Sequence, residues 1–210
     1  MLMTHPTKRR GRPRKAPVSQ EDTRLLLLRN GLELLTEQGY VATGLDKILK
    51  KAGVPKGSFY YYFSSKEVFG KAVLDSYGDY FLNRLRKSLG RNDLQPLARL
   101  DDFVATAEQG MQKHDFRRGC LVGNLAQEIT VLPDSFRDQL NQILLSWEAL
   151  IAQCLEEAKL SGELPNDIDS VSMAHFFWIG WEGAVMRSRL IRSSSPMAEF
   201  HRGFVALIKR

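Results

Sequence analysis

The stretch from Thr43 to Phe63, TGLDKILKKAGVPKGSFYYYF, most narrows what this chain can fold into. Leu45, Ile48, Leu49 and Ala52 fall at i, i+3, i+4 and i+7, so one face of a first helix is apolar while Asp46, Lys47, Lys50 and Lys51 face away. Thr43 stands where an N-cap belongs, with Asp46 three residues on. Gly53-Val54-Pro55 stops that helix, because glycine tolerates the left-handed conformation and proline biases its predecessor out of the helical region. Pro55 also suits the start of the next helix, in which Phe59, Tyr62 and Phe63 share an inward face and Lys56, Gly57, Tyr60 and Tyr61 point outward. The expectation is a helix-turn-helix.

The outward residues suit a phosphate-lined groove. A helix N-terminus carries free N–H groups and partial positive charge, which places Lys56, Gly57 and Ser58 against DNA backbone or base edges, with the Tyr60 and Tyr61 hydroxyls donating to phosphates. The run from Gly53 to Glu67, GVPKGSFYYYFSSKE, resembles the DNA-binding signature of the TetR family of bacterial transcription regulators, most strongly over residues 20–70. The resemblance implies an all-α fold, an N-terminal three-helix DNA-binding domain and a larger C-terminal helical domain for ligand binding and dimerisation. It implies Thr43, Lys56, Gly57, Ser58, Tyr60, Tyr61 and Lys66 as DNA-binding residues, Lys66 on a phosphate.

Charge locates a second feature. The formal net charge is +6, yet residues 1–18 hold six of the 30 basic residues and no acid, which leaves 24 against 24 elsewhere. The excess sits in an N-terminal arm rich in proline and poor in apolar residues, expected to lack stable structure without a partner. Within it Arg10-Gly11-Arg12-Pro13-Arg14 looks like an AT-hook, whose arginines enter a narrow minor groove; Arg10, Arg12 and Arg14 are the candidate contacts. A general basic tail adding affinity by counterion release is the equal alternative.

With 210 residues and 43% hydrophobic content the chain can bury a proper core. Two cysteines and no leader-like segment argue for a reducing, cytoplasmic setting, and no apolar run approaches the roughly 20 residues of a membrane span. The expected division is a basic arm over 1–18, a helix-turn-helix domain over 19–65, with Leu25, Leu28, Leu32 and Leu35 as the inner stripe of its first helix, and a ligand-binding and dimerisation domain over 66–210. Ser64 and Glu67 have capping-box spacing at the head of a helix running to about Ser88, the natural lever between body and DNA.

In the C-terminal part, Arg117-Arg118-Gly119 interrupts one helix and places Cys120 near the N-terminus of the next, where two guanidiniums would lower the thiol pKa and favour reaction with electrophiles or oxidants. An ordinary packed cysteine is the competing reading. The Arg-Arg-Gly-Cys-Leu setting is similar to a TetR-family branch responding to electrophiles or small unsaturated acids such as acrylate. Trp147, Phe176, Trp178 and Trp181 are the expected apolar walls of an effector pocket, with Glu182, Arg117 and His175 as its polar groups, although tryptophans equally anchor cores and interfaces. The helix over 166–191 is apolar on more than one face, and with the helix over 196–209, whose stripe is Met197, Phe200, Phe204, Leu207 and Ile208, it is the expected dimer interface. Cys154 reads as core filler.

No Gly-rich phosphate loop, metal-ligand spacing or nucleophile with a recognisable base occurs, so no enzyme, cofactor or metal is expected. The reading is a homodimeric regulator bound to palindromic double-stranded DNA, a repressor by the resemblance, released by a small-molecule or electrophilic effector, with no membrane partner. A nucleic-acid architectural protein using the arm is the alternative.

Overall fold

The computed structural model describes residues 20–210, and among them the chain forms nine α-helices and no strand. These are α1 (Gln20–Gln38), α2 (Leu45–Ala52), α3 (Lys56–Tyr62), α4 (Lys66–Leu89), α5 (Pro96–Lys113), α6 (Leu121–Gln127), α7 (Ser135–Leu160), α8 (Ser170–Ile191) and α9 (Ser195–Ile208). Arg10, Arg12 and Arg14, and with them the minor-groove reading of the arm, lie outside the described residues.

The punctuation inferred from glycine and proline holds. Gly53 ends α2 in the left-handed region at φ 65°, Pro55 precedes α3, and Pro96 opens α5. Side-chain caps differ from expectation. Gly44, not Thr43, is the α2 cap and brings no side-chain bond; the Thr43 hydroxyl is fully buried and donates to the Gly39 carbonyl at 2.6 Å. At α4 the cap is Ser65 rather than Ser64, accepting from the Val68 N–H at 3.1 Å, while Glu67 accepts from Ser135 at 2.6 Å. In each case the chain enters the helix one residue later than the spacing indicates, because the preceding residue is held by a local hydrogen bond or a bend. The inner stripe of α1 is also rotated: Leu27, Leu28, Leu34 and Leu35 are buried, Leu32 is half-buried and Leu25 is exposed.

Helices α1, α2 and α3 close over an aromatic knot in which Phe69 stands edge-on to Phe59 and Phe63, themselves tilted, with ring centroids 5.0–5.5 Å apart. Phe69 belongs to α4, so the small head leans on the body through that helix, as a unit of its size must. In the body α7 packs between α4 and α8, α5 against α4 and α7, α9 against α8, and α6 bridges α1, α4 and α7. No helix among the described residues is long and apolar enough to cross a membrane.

Candidate functional site

Two surfaces carry chemistry. On the head, α3 buries Phe59 and leaves Lys56 and Gly57 exposed, Tyr60 50% and Tyr61 69% exposed, and Ser58 half-covered. Gly57, Ser58, Tyr61 and Tyr62 frame an open concavity. The Lys56 ammonium lies 4.0 Å from Asp46 in an ion pair open to water, which leaves it available to an anion. Lys66 is placed differently. Its ammonium donates to the Tyr40 carbonyl at 2.8 Å and sits 4.3 Å from the centre of the Tyr40 ring, and burial holds its pKa below the ordinary lysine value. It fastens the start of α4 to the α1–α2 loop rather than facing outward. Thr43, through its buried hydroxyl, offers no side-chain contact either.

In the body, a cavity of about 300 Å³ is walled by α1, α4, α5, the α5–α6 loop, α8 and α9. Its apolar lining includes Leu32, Phe81, Phe103, Trp181 and Met197; its polar lining includes Tyr77, Tyr80, Arg84, His114, Arg118, Cys120 and Glu182. Four of these, Tyr77, Tyr80, Phe81 and Arg84, come from α4 at helical spacing.

The expected pocket residues divide. Trp181, Glu182 and Cys120 line the cavity. Trp147 and Trp178 do not; they are 0% and 2% exposed and pack ring on ring, centroids 5.0 Å apart, in the core between α7 and α8. Phe176 projects from the outer face of α8 with 44% of its surface exposed, and His175 beside it pairs with Glu148 at 2.9 Å. Helical period is the reason, since neighbours along a helix face different sides. Arg117 is exposed and Arg118 turns inward instead, bound to Glu37 at 3.1 Å and to Glu33 of α1. The turn before them places Asp115 and Phe116 at φ 51° and 54°, a left-handed pair that sets which arginine enters.

The expectation for Cys120 is corrected. It is the α6 cap, but burial pushes its thiol well above the ordinary value and the neighbouring Glu182 charge pushes it further. Of the two guanidiniums expected to lower it, Arg118 is committed to α1 carboxylates and Arg117 is exposed. Burial likewise raises the Glu182 carboxyl from 4.5 to about 7 and carries the Tyr77 phenol well above its usual value. Burial and the nearby cations Arg118 and Lys113 hold His114 below its usual value.

Sequence reasoning missed Arg84 and Glu128. Arg84 lines the cavity with no carboxylate within 4.0 Å among the described residues, and its guanidinium donates to the Tyr80 hydroxyl at 3.5 Å. Its position seven residues beyond Tyr77 is the only signal in the sequence. Glu128 caps the far end of α6, and its carboxylate accepts from the Tyr40 N–H at 3.0 Å and the Val41 N–H at 2.9 Å. Gly39 leaves room for it; a β-carbon there would overlap the carboxylate. Helix α6 therefore touches the cavity at one end and the head at the other.

Comparison with known proteins agrees with this arrangement. The family of bacterial regulatory proteins of the tetR type matches residues 27–73, and the tetracyclin repressor-like C-terminal domain matches residues 96–204. The chain is 50% identical over 199 residues to the transcriptional regulator AcuR of Cereibacter sphaeroides, covering 93% of this chain and 89% of the relative. It is 30% identical over 179 residues to the HTH-type transcriptional repressor NemR of Escherichia coli K12, covering 85% and 90% respectively. A crystal structure of a regulatory protein TetR from Rhodobacter sphaeroides superposes with a TM-score of 0.86 at 48% identity, covering 88% of this chain and 97% of that one. The chain belongs to the TetR family and is a DNA-binding transcriptional regulator, not an enzyme.

Proposed function

We propose that this protein is a homodimeric repressor released from a palindromic operator when a small unsaturated acid or electrophile, of which acrylate is the simplest case, enters the cavity of the body. Its family supports repression under control of a small molecule. The observation that carries the reading is the position of the cavity against α4. Tyr77, Tyr80, Phe81 and Arg84 of that helix are its wall, and Lys66 at the start of the same helix is tied to the α1–α2 loop. An occupant that favours one placement of α4 over another shifts the head by that difference in affinity.

Lys56, Gly57, Ser58, Tyr60 and Tyr61 are the operator contacts of each head, the arm with Arg10, Arg12 and Arg14 adding to them. One head covers half a site, so a two-fold dimer matches a palindrome. The partner meets α8 and α9, where Val171, Ile179 and Leu190 are 72%, 62% and 72% exposed and Phe176, Met186 and Leu207 continue the apolar face. The working division is a head over 19–65 and a body over 66–210, with α4 crossing from one into the other.

Two modes of capture have support. Arg84, lacking a carboxylate partner among the described residues, suits reversible binding of an acid. Cys120, facing the same cavity, suits covalent capture of an electrophile. The test is fluorescence anisotropy on DNA from upstream of the gene, at fixed salt, with and without acrylate and a simple quinone. Loss of binding with either compound supports the reading, and Arg84→Ala and Cys120→Ser assign the mode. Tight binding indifferent to both compounds overturns the effector class, and weak binding indifferent to sequence overturns the operator.

A further inference from the structure

The polar end of the cavity is an unusual cluster. Tyr77 of α4, Cys120 at the head of α6 and Glu182 of α8 line this end together, the Cys120 β-carbon and the Glu182 carboxyl flank Gly123, and the three weak acids perturb one another's ionisation. The Glu182 Oε1 atom is fully buried and has no hydrogen-bond partner among the described residues, although the residue lines the cavity. Its carboxyl has been given a seat: Gly123, in the first turn of α6, lies so close that a β-carbon there would overlap Oε2. A buried carboxyl oxygen without a partner costs stability.

The charged groups around the cluster are engaged elsewhere or lie at other walls. Arg118 is bound to Glu33 and Glu37, and Arg189 of α8 donates to Asn124 at 3.2 Å and to the Glu37 carbonyl at 2.5 Å. Arg84 and His114 line the cavity from α4 and the end of α5. Cys154, the other thiol, is 3% exposed and donates to the Pro96 carbonyl at 3.2 Å, away from this site.

We propose that Glu182 is the general base that makes Cys120 reactive toward α,β-unsaturated carbonyl compounds. This rests on the covalent reading given above and adds the group that performs it. The Glu182 carboxylate takes the thiol proton as the sulfur lone pair forms a bond to the β-carbon. The alkene electron pair moves toward the carbonyl to give an enolate, and the proton on Glu182 passes to the α-carbon. The S–H and C=C bonds are replaced by S–C and C–H bonds, and nothing is oxidised or reduced. A base is needed because burial leaves little thiolate at neutral pH, and a carboxyl whose pKa is about 7 is matched to the task there.

The test is the rate of adduct formation with methyl acrylate, followed by intact mass and assigned to Cys120 or Cys154 by peptide mapping. The full-length wild type, Glu182→Gln and Glu182→Asp are compared between pH 5 and 9, with far-UV circular dichroism confirming the fold of each. The wild-type rate at Cys120 is expected to rise through pH about 7 and level off, following the ionisation of Glu182. Glu182→Gln should be slower by about 10²-fold at pH 8 and should rise tenfold per pH unit without a plateau; Glu182→Asp should fall between. A Glu182→Gln rate and profile equal to the wild type overturns the base assignment alone. Absence of any Cys120 adduct in the wild type overturns both this assignment and covalent capture. If Glu182→Gln does not fold, the wild-type profile still decides, because a rate climbing steadily to pH 9 would contradict a base with a pKa near 7.

Discussion

The head and the cavity are built on opposite plans. The residues proposed to meet DNA, Lys56, Gly57, Ser58, Tyr60 and Tyr61, come from one short stretch of chain and lie on the solvent side of a single helix. The cavity takes its walls from helices far apart in sequence, from Leu32 of α1 to Met197 of α9, and its polar groups act inside a low-dielectric space. An exposed group keeps nearly its intrinsic chemistry, so its residue type says what it does. A buried group has its chemistry remade by neighbours, so Cys120 and Glu182 carry pKa values far from their ordinary ones.

The comparison breaks first at the knot that joins the two regions. Phe59→Ala removes a fully buried ring packed on Phe63 and Phe69, and urea unfolding should show a loss of about 3–5 kcal/mol. A loss under about 1 kcal/mol would mean that the head does not depend on this contact with α4.

Next comes Glu182, where burial is the dominant cause and the Cys120 thiol opposes it. Its folded pKa of about 7 lies above the unfolded value near 4.5. The contribution is therefore fully present below pH 4.5 and is lost as pH rises through 7, by up to about 3 kcal/mol. Glu182→Gln should flatten stability between pH 5 and 8 in thermal melts; an unchanged pH dependence would place the carboxyl in contact with water.

Glu128→Ala sharpens the comparison by cutting the link between the regions. The Tyr40 and Val41 N–H groups lose their carboxylate. The effector should still bind, measured by calorimetry, while its effect on operator affinity shrinks by about 1–2 kcal/mol of coupling. Full retention of coupling would route the signal through α4 without α6.

Lys56→Ala should have the smallest effect and be confined to the head: a loss of about 1 kcal/mol in operator affinity and a salt slope shallower by about one unit. Effector affinity should not change, and a change in it would blur the distinction between the two regions.

Helix periods and their glycine and proline stops were legible without a structure: the helix-turn-helix, the lever from Lys66, and α7 over Ser135–Leu160 follow from the spacing of apolar residues and local backbone limits. These depend on interactions within a few residues, which a sequence displays. Tertiary packing decided the rest. It turned Arg118 inward and Arg117 outward, and sent Trp147 and Trp178 into the core and Phe176 to the surface. It committed the Lys66 ammonium to the Tyr40 carbonyl. It also reversed the expected shift of the Cys120 thiol, because a pKa depends on which distant groups are brought near and which are taken from water, and neither is written in the residues adjacent to the cysteine.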